Sequence, residues 1–183
     1  AIFYDVNVTG TKNLMEAAEF VRGGGHLVVA FKSGFVNEYS TVRWVRAPGP
    51  LREAAGISYQ EFSNLKQPLK LKGDPFGAGA NNEVSVWAEL LELEKAKGLA
   101  WYDHPFFGKY PAVTRNQFGK GTLTYEGTLL SAELQAKVLG QVVEMAGLAG
   151  PDQALPAAVR VKPGTSRGGK AVHYYLNFSG QAQ

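Results

Sequence analysis

Residues 20–50 read FVRGGGHLVVAFKSGFVNEYSTVRWVRAPGP, and they contain the clearest structural pattern in the sequence. The apolar run from Leu27 to Phe31 is bounded by glycines, which favours a strand that is covered on both faces, as in a parallel sheet. The glycine triplet before it provides the left-handed positions that end a helix. Ligands bind beyond the carboxyl ends of the strands in open α/β sheets. The loop from Lys32 to Pro50 is therefore the first place to look for a functional site.

The residues before this stretch predict a short strand and a helix. Residues 2–8 alternate loosely between apolar and polar side chains, and residues 9–22 carry apolar side chains at helical spacing. Residues 5–18 also resemble a segment of short-chain dehydrogenase-like epimerases. That family's glycine-rich nucleotide loop and its Tyr-x-x-x-Lys pair are both missing here. We interpret the match as coincidence in a capped helix or as a join between unrelated sequences, and not as the mark of a redox enzyme.

The middle of the chain predicts strands, turns and one long exposed segment. Strands are expected at 56–62, 84–93 and 99–102. Residues 63–83 are rich in Pro, Gly, Asn and Lys, so they predict an exposed excursion between strands. The sequence Phe118-Gly119-Lys120-Gly121 predicts a hairpin turn, because both glycines permit positive φ.

The C-terminal third predicts a helix, a linker and a hairpin. Ser131 is a natural N-cap for a helix that ends at Gly147. Residues 150–157 contain Gly and Pro and predict a linker, and residues 159–178 predict two alternating strands around a turn. The resulting division is a domain at 1–149, a linker at 150–157 and the start of a second domain at 158–183.

Ordered motifs extend over residues 20–183. The first set runs from the glycine triplet and the apolar strand to Ser33-Gly34, Glu38 and Pro48-Gly49-Pro50-Leu51-Arg52-Glu53. The second set is Pro111-Ala112-Val113-Thr114-Arg115-Asn116 with the glycine turn at 118–121. In this order, the motifs resemble the trimerisation domain of family 42 glycoside hydrolases, which are β-galactosidases. Gly169-Lys170 and residues 173–178 resemble the start of the C-terminal β domain of the same hydrolases.

The resemblance implies an α/β fold. The family's trimerisation domain resembles the class I glutamine amidotransferases, so we expect a flavodoxin-like sheet with flanking helices, followed by a short C-terminal β hairpin. A complete domain of this family begins earlier, with further strand–helix units. The resemblance therefore also implies an N-terminal part that is truncated or rearranged.

The resemblance implies a structural function. The family's trimerisation domain holds subunits together and forms part of the wall of the neighbouring active-site cleft. We expect a homo-oligomer, with a trimer favoured, and the catalytic barrel domain of the parent enzyme as a further partner. The catalytic glutamates of the family lie on that barrel, so the isolated chain is not expected to cleave galactosides. Four glutamates of this chain are expected to be surface or loop residues: Glu38, Glu53, Glu83 and Glu89.

Two other functions remain open. A small stand-alone hydrolase of the esterase type would use Ser33 with Asp103 and His104, although Lys32-Ser33-Gly34 departs from the Gly-x-Ser-x-Gly elbow. A carbohydrate-binding module would stack a sugar on aromatic side chains, and the same side chains suit a subunit interface. The candidates for either contact are Trp44 with Arg43 and Arg46 on the long loop, and Trp101, Tyr102, Phe106, Phe107 and Tyr110 in an aromatic turn.

The composition argues against several classes of site and partner. The 183 residues include no cysteine, which rules out disulfides, thiolate catalysis and cysteine metal sites. His26, His104 and His173 lie far apart in the sequence, so neither a metal nor a cofactor is expected. The net charge of +3 comes from scattered basic residues, so no nucleic-acid partner is expected. No apolar run approaches the roughly 20 residues that span a bilayer, and no secretory signal is visible, so we expect no membrane contact and a bacterial cytoplasmic location.

Overall fold

The computed structural model of the chain describes residues 10–37, 39–156 and 158–180. These residues form two compact units, of which the first ends at Ala146 and the second begins at Gly147. In the first unit the elements follow in chain order as α1 (Gly10–Arg22), β1 (His26–Ala30), α2 (Arg52–Ala55), β2 (Ile57–Ser58), β3 (Phe62–Lys70), β4 (Glu83–Glu89), β5 (Glu92–Leu93), β6 (Lys97–Trp101), β7 (Pro111–Phe118), β8 (Gly121–Glu126), β9 (Thr128–Leu130) and α3 (Ala132–Met145), with short 3-10 helices at Gly49–Leu51 and Gly79–Asn81. In the second unit they are a 3-10 helix (Pro151–Ala154), β10 (Val159–Thr165) and β11 (Ala171–Asn177).

A mixed four-stranded sheet in the order β1-β8-β7-β6 lies in the first unit. β1 is parallel to β8, and Val29 stands opposite Tyr125. β8, β7 and β6 are antiparallel neighbours, and Val113 stands opposite Glu126. Residues of α1 and α2 pack with Val29 and Tyr125 on one face of this sheet. Residues of α3 pack with Val113, whose side chain lies on the other face.

The prediction of a flavodoxin-like α/β sheet with flanking helices, which came from the likeness to class I glutamine amidotransferases, is wrong. A flavodoxin-like sheet is largely parallel and needs a crossover helix between its strands. Here β6, β7 and β8 follow one another with no helix between them, and strand residues outnumber helical residues. The apolar run that forms β1 does predict a strand, but such a run carries no information about the direction of the neighbouring strands.

A second sheet has the order β3-β4-β9, with antiparallel pairing throughout. β3 lies at its edge, in a segment that was predicted to be an exposed excursion, so that prediction is wrong for this strand. The apolar side chains Phe62, Leu65 and Leu69 do not alternate, because the pairing with β4 shifts between Leu65 and Leu69. Pro68 is tolerated because an edge strand leaves some N–H positions unpaired.

The glycine turn between β7 and β8 forms as predicted. Phe118 pairs with Gly121, which leaves Gly119 and Lys120 as a two-residue loop. Gly119 has a φ of 62°, which glycine adopts without steric cost. Gly121 does not have a positive φ, and a Cβ at this position would instead collide with the backbone carbonyl oxygens of Gly25 and Val21. The second glycine of the motif therefore permits the close approach of β8 to the end of α1.

Helix α3 begins at the predicted N-cap. The Ser131 Oγ accepts a hydrogen bond of 3.2 Å from the Leu134 N–H and also donates to the carbonyl oxygen of Asn81. One face of the helix is buried through Leu134 and Val138. The serine therefore caps the helix and ties its first turn to the 3-10 helix before β4.

Two hydrophobic clusters form the core of the first unit. The cluster of α1, α2 and the β1–β8 pair includes Val21, Leu51, Ile57, Leu123 and Tyr125. The cluster between the second sheet, the β6–β7 pair and α3 includes Val84, Tyr102, Val113, Leu130 and Leu134. The first cluster includes Val29, next to the carboxyl end of β1, and the second includes Ala88, next to the carboxyl end of β4.

The second unit contains the predicted C-terminal hairpin, in which β10 and β11 pair without interruption. The Asp152 carboxylate accepts a hydrogen bond of 3.0 Å from the Tyr175 hydroxyl and lies 3.0 Å from a ring nitrogen of His173. These contacts hold the short 3-10 helix against β11. That helix falls within residues 150–157, the segment predicted to be a linker.

Candidate functional site

The long loop after β1 begins with a residue in an uncommon backbone conformation. Lys32 has a φ of 64°, which few non-glycine residues adopt. Its backbone N–H donates a hydrogen bond of 2.7 Å to Oε1 of Glu89, the last residue of β4. Glu89 has no exposed surface. A buried carboxylate therefore fixes the direction in which the loop leaves the sheet.

Glu89 was predicted to be a surface or loop residue, and that prediction is wrong. Its Oε2 accepts a hydrogen bond of 2.9 Å from the Tyr125 hydroxyl, whereas the polar atoms of Tyr59 and Trp87 make no hydrogen bond of normal geometry to any residue that the structure describes. Burial raises the pKa of Glu89, and the hydrogen bonds, led by that of the Lys32 N–H, offset this effect in part. The apolar residues on either side of Glu89 in the sequence were the available signal for its burial.

An aromatic cluster lies beside this carboxylate at the start of the loop. The rings of Phe62 and Trp87 stack with centroids 4.2 Å apart, and Phe35 meets Phe62 edge-on at 5.8 Å. The Lys32 Nζ lies 3.9 Å from the centroid of the Trp87 ring, in a cation–π contact. These contacts link β3, β4 and the first residues of the loop, so the loop starts from a rigid base.

We call residues 35–47 the Trp44 loop. Val36 pairs with Val42 in an antiparallel bridge, and the Asn37 side chain accepts hydrogen bonds of 3.0 Å from the N–H groups of Tyr39 and Thr41. At the far end of the loop, Ala47 pairs with the core residue Tyr59. The loop therefore has a defined conformation of its own, although it contains no regular strand.

The Trp44 loop holds three of the residues predicted for an interface, and they have different roles. The Arg43 Nε donates to the carbonyl oxygen of Val36, and Arg46 forms an ion pair of 2.7 Å with Glu92 of β5. Both arginines thus brace the loop from within the chain. The Trp44 side chain is 96% exposed. Such a large apolar side chain on a braced loop is typical of an anchor for another protein surface.

The aromatic turn after β6 is partly core. Tyr102 is completely buried, and its ring meets Phe107 edge-on at 6.4 Å. Tyr110 also packs against the core cluster, and Trp101 is partly buried. Only Phe106, at 77% exposure, projects from this turn among the five predicted contact residues. The structure therefore leaves little of the turn for stacking on a sugar.

The residues of the hypothetical serine triad do not come together. Ser33 follows β1 and His104 follows β6, and these strands lie at opposite edges of the four-stranded sheet. Three strand spacings of about 4.8 Å put the two segments roughly 14 Å apart. The His104 Nδ1 accepts hydrogen bonds of 3.2 Å from the N–H groups of Phe106 and Phe107. His104, with Asp103 beside it, thus closes its own turn and is not aimed at Ser33.

Of the other three glutamates predicted to be surface or loop residues, the structure describes Glu53 and Glu83, and neither is buried with Glu89. Glu53 is exposed at α2, Glu83 is paired with Lys70 at 2.9 Å, and Glu38 lies outside the described residues. Within the described ranges, no group of three or more His, Asp and Glu side chains is placed to hold a metal ion. Over the same part of the chain, no helix combines the length and apolar character needed to cross a bilayer.

A groove of about 570 Å³ lies between α1 and α2. Its apolar floor is lined by Met15, Ala18, Pro50, Ala54 and Phe118, and its charged rim by Lys12, Glu16, Glu19, Arg22 and Glu53. Sequence reasoning did not single out this groove, because its residues come from three separated segments that are brought together only in the fold.

Comparison with known proteins gives a consistent result. A family model described as the β-galactosidase trimerisation domain matches residues 5–149. The β-galactosidase BgaB of Geobacillus sp. (strain Y412MC61) is 36% identical over 124 residues, which cover 68% of this chain and 18% of that protein. The β-galactosidase LacA of Lactobacillus acidophilus is 30% identical over 166 residues, which cover 89% of this chain and 24% of that protein.

Solved protein structures also resemble this chain. The crystal structure of the β-galactosidase from Rahnella sp. R3 matches with a TM-score of 0.77 and 28% identity, over 88% of this chain and 25% of that one. The β-galactosidase structure from Bacillus circulans sp. alkalophilus matches with a TM-score of 0.71 at 24% identity, over 89% of this chain and 29% of that one. The second likeness supports the fold alone.

Proposed function

The chain belongs to the family of β-galactosidase trimerisation domains, and from this premise we propose that it holds three copies of its parent protein together through the Trp44 loop. The family predicted from the ordered motifs is confirmed by the family model and by the curated relatives. The match begins at residue 5, so the epimerase-like segment lies within the domain. This coverage supports the interpretation of the likeness as coincidence in a capped helix, rather than as a join between unrelated sequences.

The chain spans about a fifth to a quarter of the length of the curated relatives that it matches. We therefore propose that the parent protein is a β-galactosidase whose catalytic glutamates lie outside these residues. In that protein the domain would stand beside the catalytic barrel and wall the cleft of a neighbouring subunit. Residues 158–183 would begin its C-terminal β domain. The curated relatives are bacterial, which supports a bacterial source, and the cytoplasmic location stays a prediction.

The exposure of Trp44 is the observation that carries the proposal. Its indole is 96% exposed, whereas the base of its loop is fixed by the Lys32–Glu89 hydrogen bond and the Arg46–Glu92 ion pair. A preorganised loop loses little conformational entropy on binding, so burial of its tryptophan contributes more fully to affinity. Tryptophan is also among the residue types most enriched at energetically dominant interface positions.

Light scattering over a dilution series tests the proposal. We expect the wild-type chain to approach three times its monomer mass of 19.8 kDa as its concentration rises. Trp44→Ala should raise the concentration needed for assembly about tenfold or more. Phe106→Ala, which removes an exposed aromatic side chain from the other predicted segment, is the matched control and should assemble like the wild type. A monomer at every concentration, or equal loss in both variants, contradicts the proposal.

A further inference from the structure

We infer that the Trp44 loop of one copy docks in the α1–α2 groove of the next copy, so that a knob and a groove on each chain close the ring of three. This inference rests on the proposed function and assigns to it a second surface and a specific pairing. The knob is the Trp44 loop, residues 35–47. The groove is the cavity of about 570 Å³ described above, whose lining shares no residue with the knob.

The symmetry of a trimer requires two different surfaces on every copy. A self-complementary patch joins two identical chains about a twofold axis. Both copies of the patch are then buried, so neither chain can bind a third through it. A ring of three needs a head-to-tail contact, in which one patch of each chain meets another patch of its neighbour. A protruding apolar loop and a recessed apolar groove on one unit meet this requirement.

The two surfaces are both apolar, and one is exposed while the other is recessed. Trp44 is 96% exposed, and Val42 and Val45 close to it in the sequence are exposed as well. An aromatic side chain buries about 150–250 Å² when it is covered, which suits an anchor in a pocket. In the groove, Met15 is 58% exposed and offers a flexible side chain that adapts to an inserted ring.

The formal charges of the two surfaces are opposite. The sequence of the knob contains two arginines and one glutamate. The groove lining contains three glutamates against one lysine and one arginine. Ion pairs within the chain involve charges of both surfaces: Lys12 and Arg22 lie next to Glu16 and Glu19 on α1, at 3.8 and 3.3 Å, and Arg46 of the knob pairs with Glu92 at 2.7 Å. Arg43 on the knob and Glu53 in the groove carry opposite charges that can attract each other across the contact. Opposite charges at a rim steer association and fix its register.

Cysteine cross-linking tests the pairing directly, since the natural sequence has no cysteine. Val45→Cys places a thiol on the knob and Glu16→Cys places one on the groove rim, both at exposed positions. A mixture of the two single variants, treated with a short bismaleimide, should give mixed dimers in at least tenfold higher yield than either variant alone. A double variant should give a covalently closed species of three chains. Glu144→Cys on the exposed side of α3, mixed with Val45→Cys, is the control and should give no mixed dimer.

The molar mass of the same samples is measured by light scattering before cross-linking. This measurement distinguishes a failure of the pairing from a failure of the proposed function. If the protein is trimeric but knob and groove thiols do not cross-link, the pairing is overturned while the proposed function stands. If Val45→Cys alone gives as much cross-linked dimer as its mixture with Glu16→Cys, the knobs of two copies contact each other, and the pairing is overturned. If the protein stays monomeric and no cross-link forms, both the pairing and the proposed function are overturned.

Discussion

The backbone N–H of Lys32 donates a hydrogen bond of 2.7 Å to the side chain of Glu89, a carboxyl with no exposed surface. The two residues stand at the ends of strands from different sheets, so this bond joins the sheets where the Trp44 loop begins. Burial of an ionisable group is costly in the charged form. The buried Glu89 thus lies at the base of the Trp44 loop, the surface to which we assign assembly.

In the Glu89→Gln variant, the free energy of unfolding should decrease less as the pH rises than it does in the wild type. The folded-state pKa of Glu89 is raised by burial, so its contribution to stability is full below the unfolded value of about 4.3 and is lost as pH rises through the folded value. Glutamine keeps an acceptor for the Lys32 N–H and does not ionise. In urea unfolding at several pH values, the stability of the variant relative to the wild type should therefore increase with pH. Glu126, whose pKa is also raised by burial, titrates in both proteins and cancels. A difference that does not change with pH contradicts the account of Glu89.

Asn116→Ala should destabilise the first unit by about 1–3 kcal/mol, because it leaves buried backbone acceptors without a donor. The Asn116 Nδ2 donates to the carbonyl oxygen of Ala54 at 3.0 Å and so ties β7 to the end of α2. Chemical unfolding measures the loss. Gln117→Ala, at the adjacent exposed position, should change the free energy of unfolding by less than about 0.5 kcal/mol. Equal losses in the two variants would rule out this role for Asn116.

Gly121→Ala and Gly140→Ala should have opposite effects on thermal stability. A Cβ at Gly121 meets the backbone of Gly25 and Val21, which cannot move without separating β8 from α1. A Cβ at Gly140 meets nothing within 4 Å, and this glycine lies within α3. We expect Gly121→Ala to prevent folding or lower the melting temperature strongly, and Gly140→Ala to stabilise by roughly 0.5–1 kcal/mol. A Gly121→Ala protein as stable as the wild type would contradict the close contact.

Assembly should shield Trp44 from a soluble quencher. Trp44 is 96% exposed in the single chain, whereas Trp87 is 7% exposed. Acrylamide quenching of the wild type should therefore decrease as the protein concentration rises, while that of Trp44→Phe should change little. Quenching of Trp44 that stays constant while the mass rises would show that assembly uses another surface.

Local signals in the sequence predicted local structure well. The glycine triplet, the apolar run of β1, the glycine turn at 118–121 and the cap at Ser131 each depend on a few neighbouring residues, and each forms. The order of the motifs also led to the correct family. These features are local in the chain, so a single sequence is sufficient to recognise them.

Features that depend on distant residues were missed. The flavodoxin-like sheet was wrong because strand direction depends on partners far along the chain, and β3 was missed because its register shift removes the alternation that marks a strand. The burial of Glu89 and Tyr102 requires side chains from several elements to meet. The α1–α2 groove exists only once those two helices are placed together.

Strand β3 also bears on how the protein behaves when it is concentrated. Strands from other chains can pair with an open sheet edge, which leads to aggregation. Head-to-tail contacts that do not close into a ring can likewise extend into filaments. The edge of β3 carries exposed Lys66, Pro68 and Lys70, and its register shift interrupts any long flat template. The edge of β3 is therefore a poor template for strand addition by another copy of the chain.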